Sequence, residues 1–124
     1  MVDNFSAMLR SGRVSKAKAF IANMINFKPI VGIDDAGAGV LLSKCLSRRA
    51  QLEYLLKQLN EINTMKPIRG FHTLYVDNQE EAVTLDKKIS DILNIKSYGI
   101  LNVSTVISLH AGSGALAIAI DQEV

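Results

Sequence analysis

The sequence predicts a two-layer α/β domain of the α+β type, in which helices pack mainly on one face of a mixed β-sheet. Two observations favour this class. Apolar residues at helical spacing alternate with short apolar segments along the chain, and a Lys-Pro-Ile sequence marks a helix end and a strand start at residues 28–30 and again at 66–68. No linker or low-complexity stretch divides the 124 residues, so we expect one domain spanning 1–124.

The first strongly patterned segment predicts an amphipathic helix. Ser15 is a suitable N-cap, and Phe20, Ile21 and Met24 recur at the spacing of one helix face. Pro29 ends this helix, because the residue before a proline avoids the helical region.

A hairpin and a second helix follow. Residues 30–33 and 40–42 are short and apolar, and the glycines between them predict a tight turn held by Asp34 and Asp35. Leucines and an isoleucine at helical spacing then predict a helix over 47–63.

The second half of the chain predicts three strands and one helix. The strands are expected at residues 71–76, 98–103 and 115–120, and Asn78 with Glu81 resembles a capping arrangement that starts the helix. The apolar stripe of this helix contains Ala82, Leu85, Ile89, Ile92 and Leu93.

Composition excludes several functional classes. The 14 Lys and Arg residues nearly balance the 12 Asp and Glu residues, which is unlike a surface for a polyphosphate. The absence of Trp and an aromatic content of 6% argue against a module that stacks nucleic-acid bases. No apolar run reaches the roughly 18 residues that a membrane span requires, so we expect neither a nucleic-acid partner nor a membrane span.

Cysteine and histidine are too few for an intrachain disulfide or a metal cluster. The chain has one cysteine, Cys45, and two histidines, His72 and His110. We interpret Cys45 as an apolar filler and His72 as a packing residue in a strand. The first residues carry an acid where a signal peptide has basic residues, so a cytoplasmic location is expected.

Two charged clusters have structural interpretations. Lys44, Arg48 and Arg49 lie near a predicted helix start, and we interpret them as a solvated face. Glu80 and Glu81 belong to a group of acids at the start of the next predicted helix, where their negative charge interacts favourably with the helix dipole.

The segment from His110 to Gly114 is the strongest candidate for chemistry. Gly112 and Gly114 flank Ser113, and glycines there permit positive φ and expose backbone N–H groups to an anion such as a carboxylate. The His110 imidazole can add a hydrogen bond. These residues alone favour a simpler interpretation, a glycine turn whose histidine bonds to backbone.

Two blocks of sequence together resemble the DegV family. Residues 8–30 resemble its Leu-x-x-Gly-Gly-Arg-Ile-Ser pattern and the following helix that ends in Lys-Pro-Ile, with Arg13 and Ser15 in the matching positions. Residues 110–117 read His-Ala-Gly-Ser-Gly-Ala-Leu-Ala and resemble the family's His-Thr-Gly-Pro-Gly-Ala-Leu-Gly. The order and separation of the blocks also fit.

This resemblance implies a lipid carrier. DegV proteins hold a long-chain fatty acid between two domains, and bacterial members present its carboxylate to a fatty acid kinase. The present chain resembles the C-terminal domain alone. A fatty acid is the implied ligand, no cofactor is expected, and the implied fold is that of the DegV C-terminal domain.

The resemblance also implies where the ligand binds. His110 would lie near the carboxylate, and Phe20, Ile21 and Met24 are candidates for the wall along the acyl chain, with ordinary core packing as the alternative. The polar residues and glycines that it assigns to the ligand site are Arg13, Ser15, His110, Gly112, Ser113 and Gly114.

Two other functions stay open. The chain is expected to lack enzymatic activity, but it could be a protein-interaction or oligomerisation module that no longer binds lipid alone. Such a module would meet a second copy or a separate DegV N-terminal domain through an apolar face. The other function is that of a small-molecule transferase, although the sequence contains no evident set of nucleophile, base and orienting group.

Overall fold

The computed structural model describes residues 28–34, 36–103 and 114–123. Their strands and helices, in chain order, are β1 Lys28–Ile33, β2 Gly39–Cys45, α1 Arg48–Met65, β3 Ile68–Tyr75, α2 Gln79–Leu93, β4 Lys96–Asn102 and β5 Leu116–Gln122. The predicted α/β class and the predicted order of elements after residue 28 are confirmed. The helix predicted after Ser15 lies outside the described residues.

The five described strands form two sheets. β1 and β2 pair as an antiparallel hairpin, and the second sheet has the order β4-β3-β5. In this second sheet β3 is parallel to β4 and antiparallel to β5, so the predicted mixed character is confirmed. The apolar pattern does not specify the division into two sheets, because it shows which residues are buried and not which strands pair.

The hairpin turn is stabilised by Asp34, one of the two aspartates that were predicted to hold it. Asp34 Oδ1 accepts hydrogen bonds from the backbone N–H groups of Ala36 at 3.0 Å and Ala38 at 2.9 Å. An aspartate that bonds to the backbone just after itself stabilises a turn locally. Asp35, the other residue expected there, lies outside the described residues.

Local capping defines both ends of α1. Ser47 Oγ accepts from the N–H of Ala50 at 3.1 Å, which satisfies one of the unpaired donors of the first turn. At the other end Pro67 follows the helix, and Asn63 Oδ1 accepts from the N–H of Ile68 at 2.8 Å. The chain therefore leaves the helix directly into β3.

A reciprocal pair of hydrogen bonds starts α2. Asn78 Oδ1 accepts from the N–H of Glu81 at 3.0 Å, and Asn78 Nδ2 donates to Glu81 Oε2 at 2.8 Å. The predicted capping arrangement is therefore confirmed. Further along α2, Asp86 Oδ1 accepts from the hydroxyls of Thr73 at 2.8 Å and Ser97 at 2.7 Å, which ties the helix to β3 and β4.

The core lies where the helices meet the two sheets. Its buried apolar side chains are Ile30, Cys45, Leu59, Ile68, Phe71, Ala82, Leu85, Ile89, Ile95 and Leu116. Burial of Cys45 agrees with its interpretation as an apolar filler. Ile92 was expected in the α2 stripe but is 59% exposed; the chain turns at Asn94, which has φ 53°, and Ile95 enters the core. Neither described helix has the length and apolar content to cross a bilayer.

Candidate functional site

The two segments that carry the predicted ligand contacts join the described structure at Lys28 and Gly114. Gly114 is itself a predicted site residue and is described. The predicted site residues that lie outside the described residues are Arg13, Ser15, Phe20, Ile21, Met24, His110, Gly112 and Ser113. The site is therefore built from Gly114 and the side chains that contact it.

Gly114 has the backbone conformation that the sequence suggests. Its φ of 78° lies in the left-handed region, which glycine adopts without the steric cost that a Cβ would bring. The next residue, Ala115, accepts a hydrogen bond through its carbonyl from the N–H of Val76 at 3.1 Å. Gly114 thus lies in a turn that is separated from β5 by the single residue Ala115.

Arg48 connects Gly114 to both described helices, α1 and α2. Its Nη2 donates to the carbonyl of Gly114, its Nε donates to Glu81 Oε1 at 2.5 Å, and its Nη1 donates to Gln51 Oε1 at 3.0 Å. Arg48 is the first residue of α1, where the helix dipole disfavours a cation. The negative charge of the Glu81 carboxylate offsets this effect, and the Gly114 carbonyl oxygen adds a partial negative charge.

Gln51 extends the same network to β1. Its side chain is fully buried, and its Nε2 donates to the carbonyl of Pro29 at 2.7 Å while its Oε1 accepts from Arg48. Burial of an amide without partners would be costly, so both ends of this side chain being bonded accounts for its place in the core. The entry to β1 and the entry to β5 are consequently joined through Arg48 and Gln51.

Glu81 accepts from two partners at once. Its Oε1 binds Arg48, and its Oε2 accepts from Asn78 Nδ2. The side chains of Arg48 and Glu81 are 21% and 24% exposed, so solvent screens this ion pair only in part. A shallow cleft beside it is lined by Asn78, Glu80, Glu81 and Thr84, and this polar, acidic lining does not suit an acyl chain.

The interpretation of the basic cluster as a solvated face is wrong for Arg48. It holds for the neighbouring Arg49, whose side chain is 89% exposed and pairs with Glu53 four residues along the helix. Two successive helix residues point about 100° apart, so one can lie against the core while the other faces water. The signal that could have identified Arg48 is a cation at a helix start, which needs a nearby anion.

A second polar cluster lies toward the other end of β5. Asp121 Oδ1 accepts from Arg69 Nη2 at 2.8 Å, and Asp121 Oδ2 accepts from the Tyr98 hydroxyl at 2.9 Å. These hydrogen bonds, that of Arg69 first, hold the pKa of Asp121 below its ordinary value. The His72 ring lies 5.4 Å from the Tyr98 ring, in agreement with His72 as a packing residue.

The described residues provide positioning contacts around Gly114. Arg48 and Gln51 hold backbone carbonyls, and Glu81 holds Arg48. No group of three or more His, Cys, Asp or Glu side chains within residues 28–34, 36–103 and 114–123 is arranged to hold a metal ion.

Comparison with known proteins confirms the resemblance. The family model described as "Uncharacterised protein, DegV family" matches residues 1–123, and that description names no enzymatic activity. A DegV domain-containing protein of Staphylococcus aureus is 26% identical over 120 residues, which are 97% of this chain and 43% of that protein. The chain therefore spans about two fifths of the length of the curated relatives it matches.

Solved structures share the fold. DegV, a fatty acid binding protein from Bacillus subtilis, is 28% identical with a TM-score of 0.77, over 95% of this chain and 42% of that one. A fatty acid binding DegV family protein from Streptococcus agalactiae has a TM-score of 0.82 at 22% identity, over 96% of this chain and 42% of that one. Since the family model covers nearly all of its residues, this chain belongs to the DegV family.

Proposed function

We propose that this chain is a lipid-binding domain over residues 1–124 that holds a long-chain fatty acid, with the ligand carboxylate at the segment from His110 to Gly114. The observation that carries the proposal is the similarity, across nearly the whole chain, to the fatty acid binding protein DegV of Bacillus subtilis. The positive φ of Gly114 supports it, because backbone of this kind exposes N–H groups to an anion.

The acyl chain and the carboxylate of a fatty acid would be bound by different interactions. Burial of each methylene contributes about 0.8 kcal/mol, so the acyl chain supplies most of the affinity. The polar segment orients the carboxylate. The apolar residues Phe20, Ile21 and Met24 are our candidates for the wall along the acyl chain, and Arg13 and Ser15 for the polar boundary of the site.

The proposed protein is a carrier and not an enzyme. A carrier that holds the acyl chain and leaves the carboxylate accessible suits a separate cytoplasmic kinase that phosphorylates this group. Because the chain spans about two fifths of its relatives, a DegV N-terminal domain or a second copy of the chain would complete the pocket. The fatty acid is then the bound ligand, and no cofactor takes part.

Native mass spectrometry of the purified chain, followed by denaturing analysis of any extracted lipid, tests this proposal. We expect a mass excess that matches a fatty acid, with the acid recovered after denaturation. A protein that stays free of ligand after incubation with palmitic acid, whether alone, as an oligomer or mixed with a DegV N-terminal domain, would contradict lipid binding by this chain.

Substitution of His110 tests the position of the carboxylate. His110→Ala is expected to weaken palmitic acid binding by at least about tenfold, since a hydrogen bond to a charged group contributes roughly 1.5–3 kcal/mol. The matched control is His72→Ala, because His72 packs beside Tyr98 on the sheet. Fluorescence titration with a labelled fatty acid measures both variants, and equal affinities in folded proteins would reject the role of His110.

A second candidate function is a protein-interaction or oligomerisation module. Large apolar side chains are exposed at Ile33, Leu46 and Met65, each at least 74% accessible, which is favourable for contact with a partner. The same native mass spectra distinguish the two functions. A ligand-free dimer after incubation with fatty acid supports the module, and a monomer or dimer that carries fatty acid supports the carrier.

A further inference from the structure

Both strand pairs of the second sheet are irregular near the start of β3. Against β5, Ile68 pairs with Gln122 and Gly70 pairs with Asp121, which leaves Arg69 as an extra residue in β3. A β-bulge of this kind interrupts the backbone ladder and turns a side chain in a new direction. The ladder therefore holds the last residues of β5 less regularly than the first ones.

The second bulge lies in β4. Phe71 pairs with Ser97 and His72 pairs with Gly99, so Tyr98 is the extra residue of this strand. Gly99 has a φ of 132°, a conformation that glycine adopts without the steric cost of a Cβ. The glycine that follows Tyr98 thus permits the bulge, and the bulge sets the direction of the Tyr98 side chain.

The two extra residues donate to the same carboxylate. Arg69 Nη2 lies 2.8 Å from Asp121 Oδ1, and the Tyr98 hydroxyl lies 2.9 Å from Asp121 Oδ2. Tyr98 belongs to β4 and Asp121 to β5, and β3 separates these two strands. The Tyr98 ring crosses β3 at Gly70, where the missing Cβ leaves room for it. Arg69 and Tyr98 therefore attach the end of β5 to both other strands of the sheet.

We propose that Arg69, Tyr98 and Asp121 form a side-chain clamp on the end of β5, and that this end leaves the sheet locally when the clamp is released. Because the ladder is irregular there, side-chain contacts replace part of the backbone pairing. Gln122 follows the same rule, since its Nε2 donates to the carbonyl of Lys66 at 2.7 Å. Ends of edge strands that depend on a few exposed contacts open at a lower free energy than the core.

Amide hydrogen exchange of the whole chain, measured by NMR, tests the clamp with Tyr98→Phe. Phenylalanine keeps the ring over Gly70 and removes only the hydroxyl that donates to Asp121. We expect exchange of the protected amides within residues 120–122 to accelerate about fivefold, and exchange within residues 116–118 to stay unchanged. The measurement does not depend on lipid binding.

Two further variants show where the effect comes from. Tyr54→Phe is the matched control, because the Tyr54 hydroxyl donates to the Leu42 carbonyl outside this sheet. It should leave exchange throughout β5 unchanged. In an Asp121→Ala background, Tyr98→Phe should add no further acceleration, since the carboxylate through which the hydroxyl acts is already absent.

Three results would overturn the proposal. Unchanged exchange within residues 120–122 of Tyr98→Phe would show that the hydroxyl does not hold this end. Equal acceleration along the whole of β5 would show that the strand opens as one unit. A further acceleration by Tyr98→Phe in the Asp121→Ala background would assign the effect to a contact other than the carboxylate.

Discussion

Two arginine–carboxylate pairs of this chain differ in where they lie and what they join. The Arg48–Glu81 pair connects the starts of two helices and also holds the turn at Gly114. The Arg69–Asp121 pair connects the neighbouring strands β3 and β5 at the surface. The Arg48 and Glu81 side chains are about one quarter exposed or less, whereas those of Arg69 and Asp121 are 57% and 39% exposed.

Burial and the number of partners decide how much an ion pair contributes to stability. Solvent competes for the exposed pair and salt screens it, so pairs of this kind contribute little to stability. Loss of one member of a buried network leaves the others without partners, which is far more costly. Substitutions in the network around Arg48 should therefore lower the free energy of unfolding strongly, and substitutions in the cluster around Asp121 should lower it weakly.

The largest expected effect comes from Gln51→Leu. Leucine is close in size but leaves the Pro29 carbonyl and one Arg48 donor without their partner, so we expect a loss of about 2 kcal/mol in the free energy of unfolding. Urea denaturation measures it. The control is Gln58→Leu on the same helix, since the side chain of Gln58 donates to Glu61 at the surface. Equal losses in the two variants would remove the distinction between buried and exposed contacts.

A smaller effect is expected from Gly70→Ala. A Cβ at position 70 would lie 2.3 Å from Cζ of Tyr98, so the ring must move away and its hydroxyl must leave Asp121. Overpacking of this kind costs about 1 kcal/mol where the displaced group can reach solvent. The double variant Gly70→Ala with Tyr98→Ser supplies the control, because the cost should disappear once the ring is absent. If the alanine still lowers the free energy of unfolding when Tyr98 is replaced by serine, the strain does not come from contact with the Tyr98 ring.

The smallest effect is expected from Asp121→Asn and is visible mainly in its pH dependence. The pKa of Asp121 is lowered in the folded protein, first by Arg69 and then by the Tyr98 hydroxyl. The stabilisation is therefore present above the ordinary pKa of 3.8 and is lost as the pH falls through the lower, folded value. Thermal unfolding of wild type and variant should differ at pH 7 and converge in acid. Unfolding temperatures that differ by the same amount at pH 7 and in acid would contradict this linkage.

Local features of the fold were predictable from the sequence. The Asp34 turn and the capping pair of Asn78 with Glu81 depend on residues within a few positions of each other, and both were predicted. The cap by Ser47 was not predicted, because that residue was assigned to the helix itself. The stripe of α2 was correct for Ala82, Leu85 and Ile89 and failed at Ile92, close to the end of the helix. The signal weakens there because the chain is about to leave the helix.

The candidate site was predictable only in part. The positive φ of Gly114 follows from its residue type, whereas Arg48 and Arg49 are the same residue type in adjacent positions. A cation at a helix start needs a nearby anion, but both arginines share this signal, so it does not distinguish the half-buried arginine from the exposed one. Gln51 is harder still, because a glutamine within a leucine-rich helix predicts an exposed position and not the core.

The amino-acid sequence alone was enough to predict the α/β class, the cap of α2, the hairpin turn and the family, since each depends on residue types at short spacing or on motifs in order. Only the tertiary structure shows how the five described strands divide between two sheets and which arginine holds Gly114. The partners of Arg48 lie 33 and 66 positions away, and such contacts arise only when packing brings distant elements together. Burial then gives them their strength, because it removes the water that would otherwise compete.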